Sequence, residues 1–301
     1  MWFAAAASSP VRLGQLLTGW QHDAGSLTAL AVLAALGAAY AAGVHRLARR
    51  KRRWSPWRSA AFGAGLVLVE LAVGSGIASY DDSVFTVHVV QHLLLMNAAP
   101  PLLALGAPIT LLLQATRRRT TSRLLRVLHS RPVELLTHPL VAFGVATATM
   151  YAYFLTPLYG ASLRHPVLHD ATHLVFLLAG CLYWWLVVGL DPIPHRLGHA
   201  ARMGYLGLGI PLASFLGVAI LNMAHPIAPE HTLADTRAGG GVLWGFSELF
   251  TVAALAVIFL QWVREEDRRA AREDRRLDAV AAAEAVVAAA AERLGEHPEE
   301  L

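Results

Sequence analysis

The chain has 301 residues, of which 55% are hydrophobic and only 15% charged, far more apolar than an average soluble domain. Its formal charge of +4 resides in Arg clusters that abut apolar runs rather than lining amphipathic faces, so the basic balance reads as membrane topology and excludes nucleic acid as a partner. Cys181 is the only cysteine and lies in an apolar run, which excludes a disulfide framework, a C-x-x-C redox pair and a thiolate metal site.

No Lys/Arg-rich stretch precedes the first apolar run, so residues 1–25 are expected to be an outer N-terminal segment ahead of a signal anchor. Apolar runs near the length a bilayer core requires then follow at 26–44, 59–79, 85–113, 139–155, 169–188, 203–223 and 242–262. The third run is longer than one straight span needs. It contains Pro100, Pro101, Gly106 and Pro108, which predict a kink or break at 99–101, because proline removes backbone donors and disfavours helix in the residue before it. All but three of the 25 Lys and Arg residues fall in segments 45–58, 115–137, 190–202 and 264–301; the exceptions are Arg12, Arg164 and Arg237. The positive-inside rule then predicts an all-α, polytopic cell-membrane protein of seven transmembrane helices, with its N-terminus outside and its C-terminus cytoplasmic. Residues 26–262 form the transmembrane domain, and 263–301 form a cytoplasmic, charged, Ala-rich tail that extends the last helix.

Histidines stand out within this frame. Four pairs lie at spacing i,i+4, namely His88/His92, His165/His169, His169/His173 and His195/His199, where random placement of fourteen histidines gives fewer than one. That spacing puts two imidazoles on one helix face, a turn apart, so that both can approach one ion. The topology brings His88/His92 and His169/His173 to the outer ends of the third and fifth spans. His195/His199 falls in a cytoplasmic loop and reads as structural, while His165 precedes Pro166 and sits off the helix. Met96 lies one turn beyond His92, and Met223, His225, Asp81, Asp82, Asp170 and His231 cluster near the same surface. Imidazole with thioether and no thiolate favours copper, Cu(I) in particular, whereas added carboxylates suit zinc or Cu(II). Glu70 and Glu248 are intramembrane carboxylates that either pair with another polar group or serve the cluster as proton acceptors. Gln91, Asn97 and Asn222 read as interhelical hydrogen-bonding groups.

Several stretches together resemble the CtaG family of cytochrome c oxidase assembly proteins. His88-Val-Val-Gln-His92 followed by Pro100-Pro101-Leu-Leu-Ala-Leu-Gly106-Ala-Pro108 is similar to the family's H-x-x-Q-H and PPLL-x-LG-x-P pattern. Trp184-Trp185 with Gly189-Leu-Asp191-Pro192-Ile-Pro194 and, later, Asp235, Gly240, Trp244 and Glu248 resemble two further signatures. The loop reading Asp235-Thr-Arg departs from the Gln-rich sequence expected there. The resemblance implies a membrane factor for cytochrome c oxidase maturation that contacts oxidase subunits and lipid and supplies copper at the outer face. His88, His92, His169 and His173 would hold the ion, with Met96 or Met223 as a soft auxiliary ligand. Three alternatives stay open. A zinc-dependent membrane hydrolase would use the same histidines with Asp81 or Asp170. A b-type haem protein could ligate at most one macrocycle with pairs so closely spaced. A metal-free scaffold would act through the tail or helices. A carrier role is expected rather than catalysis.

Overall fold

The computed structural model describes Gly14, Leu16 and residues 19–295, and no strand occurs among the described residues. The expected outer segment 1–25 lies largely outside the described residues. Six helical stretches are long and apolar enough to cross a bilayer: Ala24–Arg49, Pro56–Tyr80, Phe85–Ala115, Pro166–Val188, His199–Leu221 and Leu233–Val287. Helix is the form expected of a chain with this hydropathy, since in lipid it alone satisfies each span's backbone polar groups internally. The fourth predicted span is a shorter apolar helix of 17 residues, Pro139–Leu155, outside those six.

The chain divides into two compact units, residues 1–253 and 254–301. Within the first, α1 is Ala24–Arg49, α2 is Pro56–Gly74 and α3 is the short Gly76–Tyr80. Asp23 caps α1 by accepting from the Ser26 amide at 3.0 Å, and the hydrogen bond from the Ser26 hydroxyl, followed by that amide, holds its carboxyl below the usual carboxylate range.

The third predicted span is interrupted twice, each time just ahead of its prolines. Helix α4, Phe85–Leu93, passes into a π turn at Leu94–Ala98, then α5, Ala99–Leu105, and α6, Pro108–Ala115. Pro100 and Pro101 occupy the first turn of α5, where their missing donors cost nothing, and the widened π turn before them absorbs the lost backbone bonds. The sharp break comes at Ala107, in left-handed conformation at φ 47°, because a residue before proline is driven out of the right-handed helical region.

Helices α7 (Arg118–Leu128), α8 (Arg131–Leu136), α9 (Pro139–Leu155), α10 (Leu158–Ser162), α11 (Pro166–Val188), α12 (His199–Leu221) and α13 (Leu233–Gly295) complete the described order. Two glycines set the spacing that matters for the site. A Cβ at Gly180 would sit 2.6 Å from the Met96 carbonyl oxygen and 2.8 Å from its Cα, so α11 approaches the third span at backbone contact. A Cβ at Gly239 would sit 2.4 Å from the Phe85 ring, so α13 seats against the start of α4 just as closely. The second unit carries the charged end of α13, where exposed Glu265 and Arg269 pair at 2.8 Å and Glu273 and Arg276 at 3.5 Å. Such exposed i,i+3 and i,i+4 pairs add only about 0.3–0.5 kcal/mol each.

Candidate metal centre

Two far aspartates fasten the broken span. Asp235 of α13 accepts from the Phe85 amide at 2.6 Å, the Thr86 amide at 3.1 Å and the Thr86 hydroxyl at 2.7 Å, so it caps α4 across 150 residues of sequence. Asp191 does the same for α6, accepting from the Ile109 and Thr110 amides, the Thr110 hydroxyl and the Trp185 indole at 2.7–3.3 Å. Asp235 thereby fixes where His88 and His92, one and two turns into α4, present their rings.

Those rings meet their counterparts from α11. His88 and His169 lie 5.5 Å apart by ring centroid and His92 and His173 5.6 Å, while the rings within each pair lie 4.4 and 4.5 Å apart. Four imidazoles thus form one buried cluster. Asp81, 2% exposed in the turn after α3, joins it: Asp81, His88 and His169 each offer a donor atom within 4.8 Å of the other two.

Hydrogen-bond directions settle which ring nitrogens are free. The Ser162 hydroxyl donates to the Tyr159 carbonyl at 2.7 Å, so it accepts from the Tyr153 hydroxyl at 2.9 Å. Tyr153 then accepts from His88 Nε2 at 3.0 Å, which assigns that nitrogen its proton and leaves the Nδ1 lone pair bare; Nδ1 has no partner. His92 Nε2 approaches the same His88 nitrogen at 2.8 Å. Gln91 donates to the Ala72 carbonyl at 2.9 Å and so turns Oε1 toward His173, whose Nε2 donates to it at 3.0 Å. Gln91 and Tyr153 therefore orient imidazoles, as outer partners of metal-binding histidines do.

The gap at Asp81 is the informative one. Its Oδ2 and His169 Nε2 both lack hydrogen-bond partners and lie 3.6 Å apart, and His173 Nε2 is 3.9 Å from the same oxygen. This is too long for a hydrogen bond, yet close to the edge of about 3.4 Å that two ligands subtend around a tetrahedral ion at ~2.1 Å. Burial, reinforced by the negative charge of Asp82, pushes the Asp81 carboxyl up to about 8. Nearby, His231 bonds Tyr159 at 2.5 Å and lies 3.8 Å from Asp235; burial lowers its pKa and raises that of Tyr159.

Apart from Asp81, none of the accessory His or carboxylate residues belongs to the three-atom group of Asp81, His88 and His169. Met96 falls in the π turn, where the register no longer repeats at four residues, and it lines a separate cavity. Met223 accepts at its backbone carbonyl from Arg237, and His225 is exposed. Asp170 is exposed beside Gly25 at the start of α1. Glu70 sits against Gly74 of its own helix with Oε2 unpartnered, and Glu248 accepts from the Ser214 hydroxyl. His195 packs against His138, at 5.2 Å between rings. Tyr153, Tyr159 and Ser162 were not singled out by sequence, since neither spacing nor composition marks a hydroxyl whose partner comes from another helix.

The fold and site define a multi-pass membrane protein with a buried His/Asp centre at one end of its helices. Residues 38–265 match the family described as cytochrome c oxidase caa3 assembly factor, CtaG, and the chain belongs to that family. It is also similar to uncharacterized proteins of Mycobacterium bovis and Mycobacterium tuberculosis, each 32% identical over 287 residues, and to one of Mycobacterium leprae at 31%. These alignments cover 89% of this chain but 43% of each relative, so the chain spans under half the length of the curated relatives it matches. No solved structure matches it significantly.

Proposed function

We propose that this protein is an assembly factor for cytochrome c oxidase that carries a copper ion, as cargo for the oxidase subunits, on Asp81, His88 and His169. The observation that carries this reading is the buried cluster in which Asp81 Oδ2, His169 Nε2 and His88 Nδ1 all lack partners, since a buried polar group left bare costs about 1–3 kcal/mol unless a ligand repays it. Imidazole and carboxylate donors suit a divalent ion, and with Met96 in the π turn the reading moves from Cu(I) to Cu(II). His92 and His173 stand behind the three ligands as exchange partners, which a carrier needs and a closed structural site lacks.

On this reading the site opens to the outer face of the cell membrane. Seven spans, an outer N-terminus and a cytoplasmic tail from residue 263 are supported by the Lys and Arg distribution and by Pro139–Leu155, whose 17 apolar residues reach about 26 Å, near the bilayer core thickness.

The test is titration of the purified full-length protein with Cu(I), Cu(II) and Zn(II) beside His88→Ala and His169→Ala. About one copper per chain, lost in both variants, is expected; undiminished stoichiometry in either variant overturns the shared site. Two imidazoles and a carboxylate also make the donor set of a catalytic zinc ion, and that second reading is favoured by zinc that co-purifies and resists exchange. Deleting residues 264–301 while following oxidase assembly addresses the metal-free scaffold: assembly that fails with copper binding intact assigns the work to the tail.

A further inference from the structure

A second feature of the first unit lies away from the metal cluster. The helical stretches Ala24–Arg49 and Phe85–Ala115 are both long and apolar enough to cross a bilayer. Their ends are tied together by Arg50, which donates to the Gln114 and Thr116 carbonyls at 3.1 and 3.5 Å. This junction therefore belongs at a bilayer surface, and basic sequence leaves it on both sides. Residues 49–53 are all Arg or Lys, and Arg117, Arg118 and Arg119 follow the other helical end.

Helix α7 continues from there. At 100° per residue its side chains sort into two arcs: Arg118, Arg119, Ser122, Arg123 and Arg126 fill one, and Leu124, Leu125, Val127 and Leu128 fill the other. No residue of this helix is buried, and Leu125 and Val127 of the apolar arc are 37% and 60% exposed. The four arginines of the polar arc are exposed, and no carboxylate pairs with any of them among the described residues. Glu134 is the only acidic residue in segment 116–138. Trp57, in the first turn of α2 just beyond the 49–53 run, is 70% exposed, as an indole resting at the level of lipid headgroups would be.

We propose that α7 lies along the bilayer surface and binds anionic phospholipid headgroups, with its arginine arc and the 49–53 run on the phosphates and its leucine arc among the acyl chains. A soluble acidic protein would meet the charges but leave Leu125 and Val127 in water. A zwitterionic surface would cover the apolar arc but leave the cations without countercharge. The inference stands apart from the metal reading, because the two share no residue.

The experiment places the full-length protein in phosphatidylcholine bilayers that carry a trace of spin-labelled phosphatidylglycerol or, in a parallel sample, of spin-labelled phosphatidylcholine. The fraction of each label immobilised by the protein gives their relative affinity. Phosphatidylglycerol is expected to be preferred about threefold or more at low salt, with the preference largely lost in about 0.5 M salt. It should fall by at least half in the combined variant Arg118→Gln, Arg119→Gln, Arg123→Gln and Arg126→Gln, whose exposed changes keep good helix formers in place. Equal immobilisation of the two lipids by the unmutated protein overturns the proposal with no variant needed, and leaves the arginines to a soluble acidic partner. A preference unchanged in the variant overturns it by placing the anion site elsewhere, and one indifferent to salt overturns its electrostatic basis.

Discussion

Asp191 and Asp81 are both nearly inaccessible, at 1% and 2% exposure, yet they are built in opposite ways. Asp191 receives four donors at the start of α6, from two amides, a hydroxyl and an indole, so its charge is fully spent on holding the broken span together. Asp81 keeps one oxygen bare, 3.6 Å from an equally bare nitrogen of His169. Asp235 belongs with Asp191, saturated by the first two residues of α4. A buried carboxylate with every lone pair engaged reports on architecture, whereas one left open beside imidazoles reports on something still to be bound.

The contrast can be broken by substitution. Asp191→Ala should cost the most, because it strands four donors at once: a loss of about 3–5 kcal/mol in unfolding free energy in detergent, with metal affinity in the surviving folded protein unchanged. A metal affinity that fell in step with stability would merge the two classes of aspartate. Asp81→Asn should do the reverse, weakening metal binding by about 10- to 100-fold while thermal stability holds or rises, since the amide takes the place of a carboxyl that the fold already keeps protonated at neutral pH.

The pH dependence sharpens the same point. Because the Asp81 carboxyl titrates at about 8, binding an ion below that pH must expel its proton, and affinity should climb about tenfold per pH unit from 6 to 8 and then flatten. For the metal-free protein the sign is opposite. A carboxyl raised from about 4 when unfolded favours the folded state while protonated, so that contribution is full below about pH 4 and is lost as pH rises toward 8. Asp81→Asn should flatten both profiles, and titrations across pH beside metal-free melts will read them. The smallest effect is expected at Met96→Leu, a near-isosteric change in the π turn, which should alter copper affinity by less than about twofold. A tenfold loss of Cu(I) binding there would return the thioether to the ligand set.

Much of this was legible from residue order alone. Hydropathy located the six long apolar helices, and the prolines announced an interrupted third one, since chain length against bilayer thickness and the missing proline donor are local facts. Four-residue spacing identified two histidine pairs worth joining. What spacing could not show is that Asp81, one of several accessory carboxylates by sequence, sits at the centre, or that Tyr153 and Gln91 decide which imidazole nitrogens are free. The expectation that Met96 continues the histidine stripe assumed an unbroken α-helix, whereas Met96 falls in the π turn Leu94–Ala98 and lines the cavity.

The two far caps show why. Asp191 and Asp235 were visible only as members of motifs, because the amides they satisfy lie 81 and 149 or more residues away. Sequence by itself determined the class of protein, its helical spans and the family to which it belongs, all of which follow from local composition and short patterns. Tertiary structure alone decided which carboxylates are saturated and which stay open. That outcome depends on close approach at Gly180 and Gly239, where the absence of a side chain admits the Met96 backbone and the Phe85 ring.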